Sequence, residues 1–527
     1  MTLSKTAAIT RVHRRQFVVG PQDYLARPDW LTFKVRPGLI LSADPELRIS
    51  ATADKRGAKW FLLGLAVDVR PDSPSPTEQI AQCDSKDVPD LHQNWSGRWV
   101  LIGEQALHLD AAAMLNCYYG KDSDDALWAS SSPVLIERAL RVSLQNSKIA
   151  PEKAIAGKAI RVSAKSGHKF GHAGWQPAAQ ATIKQVSWYP PPHSSVAGAS
   201  RLLPSQILNL HQGTCRPRSL VGKLEGNYTD DSICEDLRQA AETVMRRLAE
   251  INAPNAPTLL LSGGRDSRLL ISIAAAASIP LKTYTRVHRR ATFADRLLPQ
   301  KLARKTNYPH RRQFQRKEIP GRRQAILEHA GYNVSWLSSE EFLRGGSDPL
   351  KGIALAGFCA ELGRDCLIPV KTAQAATGEM LANHFQPTNA EEKAHTSDNI
   401  AELASAFDDW IAIRKESSEA NPDDCIDLCD YFFIEQRTAG RKGAKEQIFD
   451  LFPAERVAPL NSFRVFTLIG HLSNEFKRKA LWINRIIEMT SPELLEHPMN
   501  PPNEYFGPIA HLVLYTRLYT KLVGLSH

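Results

Sequence analysis

At 527 residues the chain exceeds what one hydrophobic core usually organises, so two domains are expected. Its 43% hydrophobic and 23% charged residues are the composition of a globular protein. No run of about 18 apolar residues occurs, and no apolar segment follows the basic N-terminus, so a membrane span and a secretory signal are not expected and the cytoplasm is the expected compartment.

In chain order, "KWFLLGLAVDV" (59–69) and "GRWVLIGEQALHLD" (97–110) are short apolar or alternating runs set between Gly, Asp and Pro clusters. They predict a β-rich N-terminal domain over 1–195. "WYPPPHSSVAGAS" (188–200) cannot continue a helix or a central strand, and residues 196–220 are expected to link two domains. "CEDLRQAAETVMRRLAEI" (234–251) has helical periodicity. After it the pattern alternates: "TLLL" (258–261), "SRLLISIAAAA" (267–277), "LKTYTRV" (281–287), "DRLLPQKLARKT" (295–306) and "GIALAG" (352–357) read as strand, helix, strand, helix, strand. That alternation predicts an α/β fold with a doubly wound parallel sheet in a second domain over 221–527, its last part, from about 395, being helical.

The net charge of +10 is concentrated in 286–323, where 13 Lys or Arg face only Asp295 and Glu318. Few aromatics interleave there, so a base-stacking platform is not expected and nucleic acid is not the expected partner. A solvated face, or one meeting an acidic peptide or small anion, stays open. The eight cysteines are thinly spread with no CxxC pair. They are expected to be reduced thiols and imply no structural metal.

The stretch "TLLLSGGRDSRLL" (258–270) carries the chemistry. In a parallel sheet the loop leaving a strand opens into the crevice at the sheet's C-terminal edge. Gly263 and Gly264 let the backbone approach an anion, and the N–H groups of the following helix point at it. Ser262 and Ser267 add hydroxyl donors. A carboxylate beside phosphates is repelled unless a divalent cation lies between them, so Asp266 implies Mg²⁺.

This stretch resembles the S-G-G-x-D-S signature of PP-loop ATP pyrophosphatases, in which the loop holds the pyrophosphate end of ATP and leaves the α-phosphorus open to attack. With some 250 residues before it, the arrangement is similar to asparagine synthetase-like proteins, whose β-rich amidotransferase-like domain comes first. "LAGFCAELGRD" resembles that family's third-strand element and implies Glu361 as second magnesium ligand; Asp295 falls at a matching helix position. The resemblance implies ATP and Mg²⁺ as cofactors. It places Ser262, Gly263, Gly264 and Ser267 on the pyrophosphate and Leu260 and Tyr284 near adenine.

Two departures redirect the reading. A glutaminase of this family needs cysteine next to the initiator methionine, and Thr2 stands there, so ammonia is not the expected nucleophile and the first domain is expected to be degenerate. Where the relatives carry a glutamate or tyrosine that takes the amine's proton stands Phe358. A peptide α-amine, with a pKa near 8, is about a tenth unprotonated at neutral pH and needs little help. Both features are similar to lasso-peptide macrolactam synthetases, implying adenylation of a peptide Asp or Glu side chain and ring closure by the peptide's own α-amine, beside a leader-removing protease. A β-lactam synthetase-like or asparagine synthetase-like enzyme, or a PP-loop tRNA-modifying enzyme, stays open. For the cation that neutralises the adenylate, Lys442, Lys445, Lys477, Lys479 and Arg437 are candidates, with Arg437 and Lys445 placed first.

Overall fold

The computed structural model describes residues 11–146, 188–287, 292–314, 318–331, 342–343, 350–364, 366–385, 397–420 and 426–501. Twelve strands build two antiparallel six-stranded sheets. The first runs β10 (Ala199–Arg201), β8 (Tyr118–Lys121), β9 (Leu127–Ser130), β1 (Phe17–Gly20), β3 (Leu39–Ala43), β2 (Leu31–Arg36). The second runs β12 (Cys215–Pro217), β11 (Gln206–Asn209), β7 (Ala106–Leu109), β6 (Trp95–Gly103), β5 (Lys59–Asp68), β4 (Ile49–Ala53). Alternation decides which side chains meet: Phe17, Val19 and Leu41 of the first sheet and Phe61, Leu63, Val100 and Ile102 of the second share one buried cluster. Each such side chain contributes roughly 1.5–3 kcal/mol by leaving water. The other face of the second sheet, through Trp60, Leu62, Leu65, Trp99 and Leu101, joins the core of the second domain.

Residues 196–220, expected to be a linker, instead supply β10, β11 and β12 to both sheets. Their backbone groups are paired in the ladders: Leu208 lies opposite Leu107 and Arg201 opposite Tyr118. The helix Asp230–Ile251 follows the sandwich.

The second domain is built on a five-stranded sheet in the order β15 (His310–Phe314), β14 (Lys282–Val287), β13 (Thr258–Leu260), β16 (Ile353–Leu355), β17 (Glu455–Val457), parallel throughout. The chain starts in the centre, steps outward to β14 and β15, then returns past β13 to β16 and β17. This is the doubly wound order expected. Helices Ser397–Ala420, Gly443–Phe449, Phe463–His471 and Leu481–Thr490 make the later part mainly helical.

The two domains are joined by buried polar groups. The Arg98 guanidinium forms two hydrogen bonds to the Asp450 carboxylate, at 2.7 and 2.6 Å, with both side chains almost wholly buried. Arg15 donates to the carbonyls of Phe452, Pro453 and Ala454. Cys366 and Cys429, 63 residues apart in sequence, are brought side by side with Cα atoms 5.4 Å apart. Folding brought together two cysteines whose sequence spacing carries no signal.

Candidate functional site

The reversal of strand order lies between β13 and β16, the point at which a doubly wound sheet generally opens a crevice for ligands. Ser262, Gly263 and Gly264 form the loop after β13, and Gly264 caps the helix Arg265–Ala276 in an extended conformation with no side chain accepting from its first turn. Those first-turn N–H groups therefore keep their partial positive charge toward the crevice. The loop is preorganised by its own residues. The Ser262 N–H donates to Ser267 Oγ at 3.0 Å, the Gly264 N–H to Ser262 Oγ at 3.2 Å, and the Gly263 N–H to Asp295 Oδ1 at 3.1 Å. Asp295 thus places a carboxylate oxygen on the Gly263 amide.

The loops after β13, β14 and β16 converge so tightly that glycine is required. A Cβ on Gly263 would lie 2.8 Å from the Ala294 carbonyl, and one on Gly357 would lie 2.7 Å from Asp266 C and Ser267 N. Gly357 therefore brings the loop carrying Glu361 directly against Asp266. Cys359, between them, adopts φ +77°, a strained conformation for a residue with a Cβ.

Asp266 and Glu361 both reach this crevice with about a fifth to a quarter of the side chain exposed. Each is countered by a cation: Arg364 donates to Asp266, and Lys442 to Glu361. The Lys442 ammonium also lies 5.5 Å from the centre of the Phe358 ring and 5.8 Å from that of Phe433. Burial pushes its pKa down to about 8, against the opposing pull of Cys359 and Glu446 and with help from Arg456 and Lys445. Of the five cations considered from sequence, Lys442 is the one paired with Glu361. Arg437 stacks over Trp188 at 5.5 Å, its pKa lowered to about 10 by burial and Arg441. Lys445 is half-buried one turn beyond Lys442. Lys477 is buried on Asp430 at 2.9 Å, and Lys479 pairs with Glu475 on the surface.

Leu260 and Tyr284 lie opposite each other in register on β13 and β14, flanking the loop; the buried Tyr284 hydroxyl donates to Gln313. Arg268, fully buried, was not anticipated. Its guanidinium donates to the carbonyls of Gly263, Leu494, His497 and Pro498, and the Asn500 N–H donates to the Gly263 carbonyl at 3.3 Å. The C-terminal segment is thereby stitched to the loop. Arg364 was missed as well; its only sequence signal is its position three residues after Glu361.

The residues fit a magnesium ion bound with phosphates. Among the described residues no cluster of three His, Cys, Asp or Glu side chains exists. Mg²⁺, however, commonly takes one or two carboxylates and completes its shell with phosphate oxygens and water. Two carboxylates on adjacent loops beside an amide-lined turn suit that pattern. In sequence comparisons, no family model and no curated protein matches the chain.

Proposed function

We propose that the protein is an ATP-dependent amide ligase that adenylates a peptide side-chain carboxylate and closes a macrolactam with the peptide's α-amine. The observation that carries this reading is the switch-point turn "SGGRDS" with Asp266 and Glu361 on neighbouring loops, each already neutralised by a cation. Two carboxylates and two cations are paired across these loops, beside the Asp295 carboxylate on the Gly263 amide. Asp266 and Glu361 would hold a magnesium ion bound with a nucleotide polyphosphate, and Arg364 and Lys442, released from them, would face the phosphates. Bound magnesium would supply charge neutralisation on the phosphates.

Ser262, Ser267 and the Gly263 and Gly264 amides, once these exchange Asp295 and Ser262 Oγ for phosphate oxygens, would hold the pyrophosphate portion and leave the α-phosphorus open to attack. The substrate carboxylate oxygen attacks that phosphorus, the bond to the β-phosphate oxygen breaks and pyrophosphate departs. The α-amine then attacks the acyl carbon, AMP leaves and the amine's proton passes to solvent. Of the two cations, Lys442 is assigned to neutralise charge developing on the α-phosphate, because it pairs with Glu361. Phe358 accepts no proton; its ring faces Lys442 and Arg456. Beyond adenylation the task is to hold the amine against the acyl-adenylate, which lowers an entropic barrier.

The test is incubation with ATP, Mg²⁺ and peptides carrying an internal Asp or Glu. A peptide product lighter by one water, formed with stoichiometric AMP, is expected. Asparagine made from ammonia and aspartate would replace this reading with that of a small-molecule ligase. Absence of any AMP would remove the ligase reading altogether.

A further inference from the structure

The turn that carries Lys442 is held from outside its own domain. Residues Phe432–Lys442 are wound as a π-helix, continuing the α-helical turn Leu428–Tyr431 and followed by the α-helix Gly443–Phe449. A π-wound run of this length is rare and widens the turn, so it persists where neighbours over-determine it. The neighbours here belong to the N-terminal sandwich. Arg201, on β10 and 3% exposed, donates to the Gly440 carbonyl at 2.8 Å and also to the Ala439 carbonyl and to Asn116 Oδ1. Asn116 Nδ2 in turn donates to the Gly443 carbonyl at 2.9 Å. Trp188 Nε1 donates to Gln436 Oε1, and Gln436 Nε2 to the Pro191 carbonyl at 2.7 Å.

These contacts admit no side chain. A Cβ on Gly443 would lie 2.8 Å from Asn116 Oδ1 and 2.9 Å from Arg201 Nη2; one on Gly440 would lie 2.9 Å from the Trp188 ring. Among the described residues Arg201 has no ion pair with a carboxylate; it lies 5.4 Å from the Tyr118 ring centre and spends its charge on carbonyls. Burying a guanidinium without an acid is costly, and methionine would fill a purely packing role at less cost. What the guanidinium supplies, and methionine lacks, is a grip on the carbonyls that bracket Lys442.

We infer that Arg201 and Asn116 are positioning residues: the N-terminal domain is a brace that sets the turn from which Lys442 reaches Glu361 and the crevice. The inference rests on the role given to Lys442 above. It assigns the sandwich a function in a chain in which that domain is not expected to supply ammonia.

Two variants and two readouts test it. Arg201→Met removes the grip; Gly443→Ala pushes both donors away while leaving them in the chain. In full-length protein, Lys442 acetylation by acetic anhydride at one fixed pH is measured by mass spectrometry against the exposed Lys479 as internal standard. Both variants are expected to raise Lys442 labelling while Lys479 is unchanged, and Arg201→Lys to restore part of the protection. In AMP release, displacement of a charged group by about 1 Å predicts a fall in kcat of about a hundredfold with KM for ATP held within about twofold. Unchanged labelling in both variants overturns the brace, whatever the activity. A kcat loss that merely tracks the folded fraction, with Lys442 still protected, overturns it too. If the wild-type chain releases no AMP, the ligase reading fails while labelling still decides whether the brace exists.

Discussion

The clearest consequences at the residue scale concern Lys442. Its pairing with Glu361 singles it out from Lys445 and Arg437, which differ from it in sequence by only a few positions on the same helical segment. Replacing Lys442 by alanine is expected to lower kcat for AMP release by roughly 10²-fold or more, as removal of one charge-stabilising donor does, while Lys445→Ala stays within about threefold. Steady-state AMP assays of the two variants check this, and equal losses would withdraw the special role of Lys442. Asp266→Ala is expected to abolish AMP release altogether. Gly357→Ala should lower turnover through crowding, because its new Cβ meets backbone 2.7 Å away on the loop that presents Asp266. Retention of wild-type kcat in that variant would mean the two loops move apart freely. From sequence, the turn after β13 with Asp266 and its glycines was legible as a strand-to-helix loop, and the resemblance added Glu361 on the loop after β16. Lys442 and Arg364 were not, since a cation's partner depends on which helix turn meets which loop.

Among the elements, β13, β14 and β16 and the helices after β13 and β14 were readable because each combines an apolar run with turn residues at its ends. The two edge strands escaped. β15 reads "HRRQF", a basic edge that lies beside β14 with little apolar burial, and β17 is three residues between Pro453 and Pro459. Neither has the pattern of a buried strand, because an edge needs pairing on one side only. The π-winding of Phe432–Lys442 was equally invisible, as external carbonyl contacts rather than local propensity maintain it. The stitching of the C-terminal segment by Arg268 also belongs to this scale. Arg268→Met leaves four carbonyls short of a donor, at about 1–3 kcal/mol for each that stays buried and unpaired. The expected result is a clearly lower Tm and a raised KM for ATP, read by thermal melting and AMP assay. A variant with an unchanged melt and an unchanged KM would show that the segment holds its place without Arg268.

For the whole molecule, stability should depend on pH through histidines that are buried where chain segments distant in sequence meet. The His329 Nδ1 accepts the His13 N–H at 2.9 Å and its Nε2 donates to the Gln447 carbonyl, so the neutral ring is fully used. Burial pushes the pKa of His13, His108 and His329 down to about 3, with neighbouring positive charge adding to it. The folded form therefore refuses a proton that the unfolded chain takes below about pH 6.5. Stability from these groups is complete above about pH 6.5 and is lost as pH falls toward 3, by up to about 1.4 kcal/mol per histidine per pH unit. Urea midpoints between pH 7.5 and 4.5 measure this, and His329→Gln should flatten the slope; an identical slope in the variant would exclude His329 as a contributor. Arg98→Met should cost up to about 3–5 kcal/mol by taking two hydrogen bonds from the buried Asp450 and leaving it the more distant Arg15, at 3.9 Å.

Taken alone, the sequence determined the α/β class and the order of the central elements, because periodicity and short-range spacing encode local conformation. Only the tertiary structure decided that 196–220 completes the sandwich, that Cys366 meets Cys429, that Lys442 and Arg364 counter the two carboxylates, and that the first domain grips the helix of the second. Those are contacts between residues tens to hundreds of positions apart. Their partners are chosen by the packing of whole layers, a property that no window of neighbouring residues contains.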